Sequence, residues 1–149
     1  MLWDKLLATR KEFANHWGLG DEASLFLMLV HPVFTKYATT PHSTLVRIVE
    51  LARWIQRPGT DWSRLYRWLQ EAGVRTAAWI MLEWLKQLTG QSPPADFVER
   101  LRPSAFRSIY LRNWVRKDLS SRCLERPALI QAGLTLPAHD RITEAIRAT

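Results

Sequence analysis

The chain has 149 residues, 47% of them apolar and 23% charged, a balance that suits one folded globular domain and excludes disordered or low-complexity architectures. Twenty-one Lys and Arg against 14 Asp and Glu leave a net charge of +7. Two further biases stand out, eight tryptophans and sixteen Arg to five Lys. Cys123 is the single cysteine, which rules out an intrachain disulfide and a multi-cysteine metal site, and it reads as a buried or half-buried structural thiol. Asp4, Lys5, Arg10, Lys11 and Glu12 interrupt the N-terminal stretch, so it is no secretory signal. The most apolar run, residues 23–34, falls short of the roughly 20 residues that span a bilayer. A soluble, cytoplasmic chain without a membrane span is expected.

Nearly every segment carries the helical apolar period, which predicts an all-α bundle of six to nine helices forming a single domain over residues 1–149. The first helix is expected at residues 2–16, with Leu2, Leu6, Ala8 and Phe13 as a loose stripe, stopped by Gly18-Leu19-Gly20. Asp21 then caps a second helix over 22–37, apolar almost all round from Leu25 to Val30 and therefore central. Pro32 is expected to kink or split it near Met28, whose carbonyl loses its donor. Past Thr39-Thr40-Pro41, a third helix over 42–56 presents Leu45, Ile48, Val49, Ala52 and Ile55 to the core.

Arg57-Pro58-Gly59 ends that helix, and Thr60 or Asp61 caps the fourth, where Trp62, Leu65, Tyr66 and Leu69 repeat at helical spacing. After Gly73, a fifth helix over 74–89 turns Ala77, Ala78, Met81, Leu85 and Leu88 inward, widened by Trp79, Leu82 and Trp84. It is the second central helix. Ser92 with Pro93 reads as N-cap and first position of a sixth helix, which Pro103 ends after Leu101. Ser104 caps a seventh over 105–121, whose apolar side holds Phe106, Ile109, Tyr110, Trp114 and Val115. Residues 128–132 and 139–147 each fit a further short helix.

No reaction is legible in this pattern. His16, His31, His42 and His139 lack metal-ligand spacing, and no Asp-x-Asp pair, phosphate loop or nucleophile elbow occurs. No catalytic residue, metal or cofactor is assigned. Charge says more. Residues 1–74 hold nine basic and seven acidic side chains, whereas Arg100 to Arg126 alone holds eight and two. On the seventh helix Arg112 and Arg116 fall one turn apart, with Lys117 beside them and Arg107 further round; Tyr110 and Trp114 stand ready to stack on bases if exposed. Three readings stay open: the solvated reverse of a core face formed by Tyr110 and Trp114, a docking face for an acidic protein, and a phosphate- or nucleic-acid-binding face. Trp54, Trp68 and Trp79 flank their helices' main apolar faces and are candidates for a surface that another module covers. An enzyme site around His31 and His42, between the second and third helices, is the least supported idea.

The stretch from Leu25 to Leu101 resembles the helical C-terminal half of a family of uncharacterised bacterial nucleotidyltransferases. The resemblance rests on the apolar helix with His31, a second histidine at His42 and the leucine-rich run from Leu45 to Ile55. It continues with Asp61-Trp62 opening a helix, the apolar helix from Val74 to Leu88, and Ser92-Pro93-Pro94. Glu50 stands where the family often has aspartate, and Ser43-Thr44 where it has bulkier residues. The family's chemistry would come from an N-terminal α/β module with an Asp-x-Asp metal pair, which the matching region here does not include. The resemblance therefore implies a non-catalytic accessory half that binds a nucleotidyltransferase-like catalytic subunit, a nucleotide, or a second copy of itself. The alternative is a small basic nucleic-acid-binding domain.

Overall fold

The computed structural model describes residues 2–35, 41–120, 133 and 136–140, and residues 2–120 of these hold seven helices and one two-stranded hairpin. Only the backbone is described for residues 13, 35, 41–45 and 117–120. In chain order the elements are α1 (Leu2–Leu7), β1 (Lys11–Phe13), β2 (His16–Gly18), α2 (Asp21–Thr35), α3 (Pro41–Trp54), α4 (Trp62–Glu71), α5 (Arg75–Thr89), α6 (Ala95–Leu101) and α7 (Ala105–Ser120). The architecture is the expected all-α bundle, and no helix among the described residues is long and apolar enough to cross a membrane.

The N-terminal segment departs from expectation. The single helix foreseen over 2–16 is a six-residue helix followed by an antiparallel hairpin pairing Lys11 with Gly18 and Phe13 with His16. Ala14 adopts φ 50°, the left-handed value that a two-residue hairpin turn requires of its first position. Only Leu6 of α1 is buried, so too little apolar surface existed to extend that helix. The hairpin returns the chain to Gly20, where a Cβ would lie 2.5 Å from the Thr9 carbonyl oxygen. Glycine is required there by closeness rather than by a turn. The Gly20 carbonyl accepts the Ser24 N–H at 2.9 Å, so Gly20 holds the cap position expected of Asp21, which lies in the first turn.

The centre of the bundle is the pair α2 and α5, as the two apolar helices suggest. Leu25, Phe26, Leu29 and Val33 of α2 pack against a helix whose Thr76 to Leu82, Trp84 and Leu85 are all buried. Burying that many large side chains at about 1.5–3 kcal/mol each makes this seam the main source of stability. α2 continues through Pro32 to Thr35 rather than splitting there. Trp68 and Trp79, which the sequence places beside their helices' main apolar faces, are buried and widen the core. Leu88 and Val49, expected inside, are 42% and 51% exposed because each falls one helical step beyond its buried stripe; on α3 the core is Ile48, Leu51 and Ala52.

Around this pair, α4 starts on Asp61, whose carboxylate accepts the Arg64 N–H at 2.8 Å. α6 starts after Pro94, not at Ser92. Pro93 precedes a second proline and is therefore kept out of the helical region, so it cannot be the first helical position after Ser92. Gly90 ends α5 in the left-handed conformation at φ 71°. Arginines lie over aromatic rings at several points of the surface: Arg100 3.8 Å from the Tyr66 centroid, Arg57 3.9 Å from Trp54, Arg112 5.4 Å from Trp79 and Arg10 5.6 Å from Trp17. Leu136 to Ala138 form one helical turn leading into a bend at His139 and Asp140; of the short helix expected over 139–147, residues 141–147 lie outside the described residues. The helix expected over 128–132 and the Cys123 thiol lie outside the described residues.

Candidate functional site

α7 carries most of the residues that the sequence marks for binding, and it is rotated relative to expectation. Ser108, Leu111 and Val115 face the core. Phe106 is 84% and Ile109 63% exposed, and they form an apolar ridge at i and i+3 on the outer side. In this orientation the Arg112 side chain reaches Glu83 of α5.

The basic stripe is thinner than its charge count suggests. Arg112 grips Glu83 of α5 in a bidentate pair, Nε to Oε2 at 3.0 Å and Nη2 to Oε1 at 3.1 Å. The Glu83 bonds raise the Arg112 pKa further, with burial opposing. Arg107 donates to the His139 carbonyl at 3.4 Å. Arg116 is exposed, while the Lys117 side chain lies outside the described residues, as do Arg122 and Arg126. Tyr110 donates its hydroxyl to the Gly133 carbonyl at 2.9 Å, and a Cβ at Gly133 would sit 3.3 Å from the Trp114 ring. Tyr110 and Trp114 are therefore engaged with the chain's own C-terminal segment. Trp114 is half-buried against the edge of the core, Tyr110 is exposed, and neither forms an open stacking platform.

The residues quoted for the family resemblance do not converge. His31 lies on the exposed side of α2, and His42 is in the first turn of α3 with its side chain outside the described residues. Glu50 accepts from Arg47 at 3.0 Å within α3. Asp61 caps α4 and donates its own N–H to Glu22 at 3.2 Å. The Trp62 ring packs on Phe97 with centroids 4.9 Å apart, joining α4 to α6. Asp61-Trp62 thus acts as a start signal and a packing joint. Among the described residues no group of three or more His, Cys, Asp or Glu gathers as a metal site would require.

The most elaborate polar site involves Asp140, which sequence reading passed over. Its Oδ1 accepts the Thr76 N–H at 2.9 Å and the Thr76 hydroxyl at 2.7 Å; its Oδ2 accepts the Arg75 N–H and Nε, both at 3.0 Å. Arg75 extends to the Tyr66 hydroxyl at 3.4 Å. Burial pushes the Asp140 carboxyl up, but the bonds from Thr76 and Arg75 outweigh it and hold the group below its ordinary value. The Asp140 N–H donates to the Gly73 carbonyl at 2.8 Å, and the neighbouring His139 ring lies 4.7 Å from Phe34. Asp140 is a cap supplied from 64 residues away to a helix whose own cap position holds Val74. A helix start without Ser, Thr, Asp or Asn was the one local signal that such a partner must exist.

Set beside family models, characterised proteins and solved structures, the chain matches none of them.

Proposed function

We propose that this chain is a non-catalytic helical module of the bacterial cytoplasm that docks a protein partner through the outer ridge of α7. The supporting observation is the exposure of Phe106 and Ile109 on a helix that already packs on the bundle through Ser108, Leu111 and Val115. Apolar side chains presented together at helical spacing suit the centre of a protein interface, with Arg102 and Arg116 at its rim. A nucleic-acid face needs several cations free to reach phosphates, and two of the arginines expected there are held inside the fold by Glu83 and the His139 carbonyl. The resemblance to nucleotidyltransferase helical halves suggests which partner to try first, a catalytic subunit of that type.

The test places a photo-crosslinking residue at position 106 or 109, with Arg67 on α4 as an exposed control, in cells that co-express the candidate subunit. Discrete adducts with that subunit from 106 and 109 but not from 67 are the expected result. Phe106→Glu with Ile109→Glu should abolish the complex and leave the circular dichroism unchanged, whereas Arg112→Met should lower stability and leave the complex intact. Adducts with nucleic acid, or none from either ridge position, would overturn the reading.

A further inference from the structure

We propose that the groove between α2 and α3 is a binding site for a small apolar monocarboxylate, its body against α2 and its carboxylate on Arg47. This proposal is independent of the α7 ridge.

The groove has a volume of about 360 Å³ and is lined by Leu19, Ser24, Leu27, Met28, His31, Pro32 and Arg47. That size is at the lower end of small-molecule sites, and a largely apolar lining with a few polar groups is their usual composition. Five of the seven residues come from α2 at positions i, i+3, i+4, i+7 and i+8, so one continuous stripe of that helix forms the wall. The stripe is distinct from the one that packs on α5. Leu27 and Met28 are half-buried, although Leu25, Phe26 and Leu29 beside them are fully enclosed. The central helix therefore has apolar side chains on two sides, and the bundle encloses only one.

The polar groups decide the ligand class. Pro32 has no N–H, so the Met28 carbonyl four residues earlier lacks its helical donor, and both residues line the groove. Arg47 gives the groove its fixed cation. Among the described residues its guanidinium makes one hydrogen bond, Nη1 to Glu50 at 3.0 Å, and that pair is exposed. An exposed pair one helical turn apart is readily exchanged, and the remaining N–H donors of the fork suit a second carboxylate. Once Glu50 is exchanged for the ligand, the one guanidinium balances a single negative charge. A phosphate dianion would bring two charges to that cation beside a carboxylate. The apolar floor likewise disfavours sugars and other heavily hydroxylated ligands, whose groups would find few partners there.

The experiment titrates octanoate, octan-1-ol and inorganic phosphate separately into the full chain and follows backbone amides by ¹H–¹⁵N NMR. Octanoate should shift the amides of residues 24–31 and 47 with a dissociation constant of about 1 mM, as expected of a ten-heavy-atom ligand. Arg47→Gln should weaken octanoate about tenfold through loss of the charge-assisted bonds, and leave octanol within about twofold. Leu27→Trp should fill the groove and abolish both responses; Ser24→Trp serves the same purpose if that variant does not fold. Octanoate shifts confined to other elements, or octanoate binding unaffected by Arg47→Gln or by the filled groove, would overturn the proposal. So would phosphate shifting the same amides as strongly as octanoate.

Discussion

Replacing Asp140 tests whether the C-terminal segment is an integral part of the fold. Four hydrogen bonds of 2.7–3.0 Å converge on this carboxylate, whose side chain is 9% exposed. Loss of a helix cap costs about 1 kcal/mol, and leaving buried donors without their charged acceptor costs about 1–3 kcal/mol more. The Arg75 side chain is 37% exposed, so water can reach part of the vacated site and the lower half of that range applies. We expect a loss of about 2–3 kcal/mol for Asp140→Ala, and about 1.5 kcal/mol for Asp140→Asn, which keeps an oxygen for Thr76 but no charge for Arg75. The folded carboxyl titrates below its unfolded value of about 3.9. Its contribution is therefore complete above that value and is lost as pH falls through the folded one. Urea unfolding followed by tryptophan fluorescence should show a constant gap between the parent chain and Asp140→Asn from pH 7 down to about 5, closing on further acidification. Equal stability at pH 7, or a gap that widens in acid, would refute the reasoning.

Two backbone positions give sharper contrasts. Gly20→Ala forces a Cβ to within 2.5 Å of the Thr9 oxygen, and calorimetry should register a loss of about 2 kcal/mol or more as the hairpin is pushed off α2. Ala14→Gly acts in the opposite direction. It relieves a left-handed alanine at φ 50° and should raise the melting temperature by the equivalent of about 0.5–1 kcal/mol.

The bundle was legible because its long helices announce themselves by period: α2, α4 and α5 fall within a residue or two of their expected bounds. Short elements carry no period, and the hairpin at Lys11–Gly18 was hidden inside a stripe of four widely spaced apolar residues. The rotation of α7 failed for a different reason. Of the expected stripe Phe106, Ile109, Tyr110, Trp114 and Val115, only Val115 is fully buried, beside Ser108 and Leu111; the face turned inward follows from contact with α5, which the helix's own sequence does not show. Non-local partners decided the candidate site in the same manner. Arg107 and Arg112 look free in the sequence because the carbonyl of His139 and the carboxylate of Glu83 lie on other segments. Charge counts register how many cations a stretch holds, not which of them are already engaged.

The opening biases toward tryptophan and arginine meet in the stacked pairs on the surface. A guanidinium 3.8 Å from the ring centroid of Tyr66, or 3.9 Å from that of Trp54, covers an aromatic face, which a lysine ammonium, being compact and strongly hydrated, does less well. Exchange of Arg57 or Arg100 for lysine would leave the isoelectric point almost unchanged yet strip an aromatic face bare. In diverging copies of this gene, arginine at those two positions should persist where the unstacked surface arginines drift freely to lysine, so that solubility rather than charge sets the rate of change.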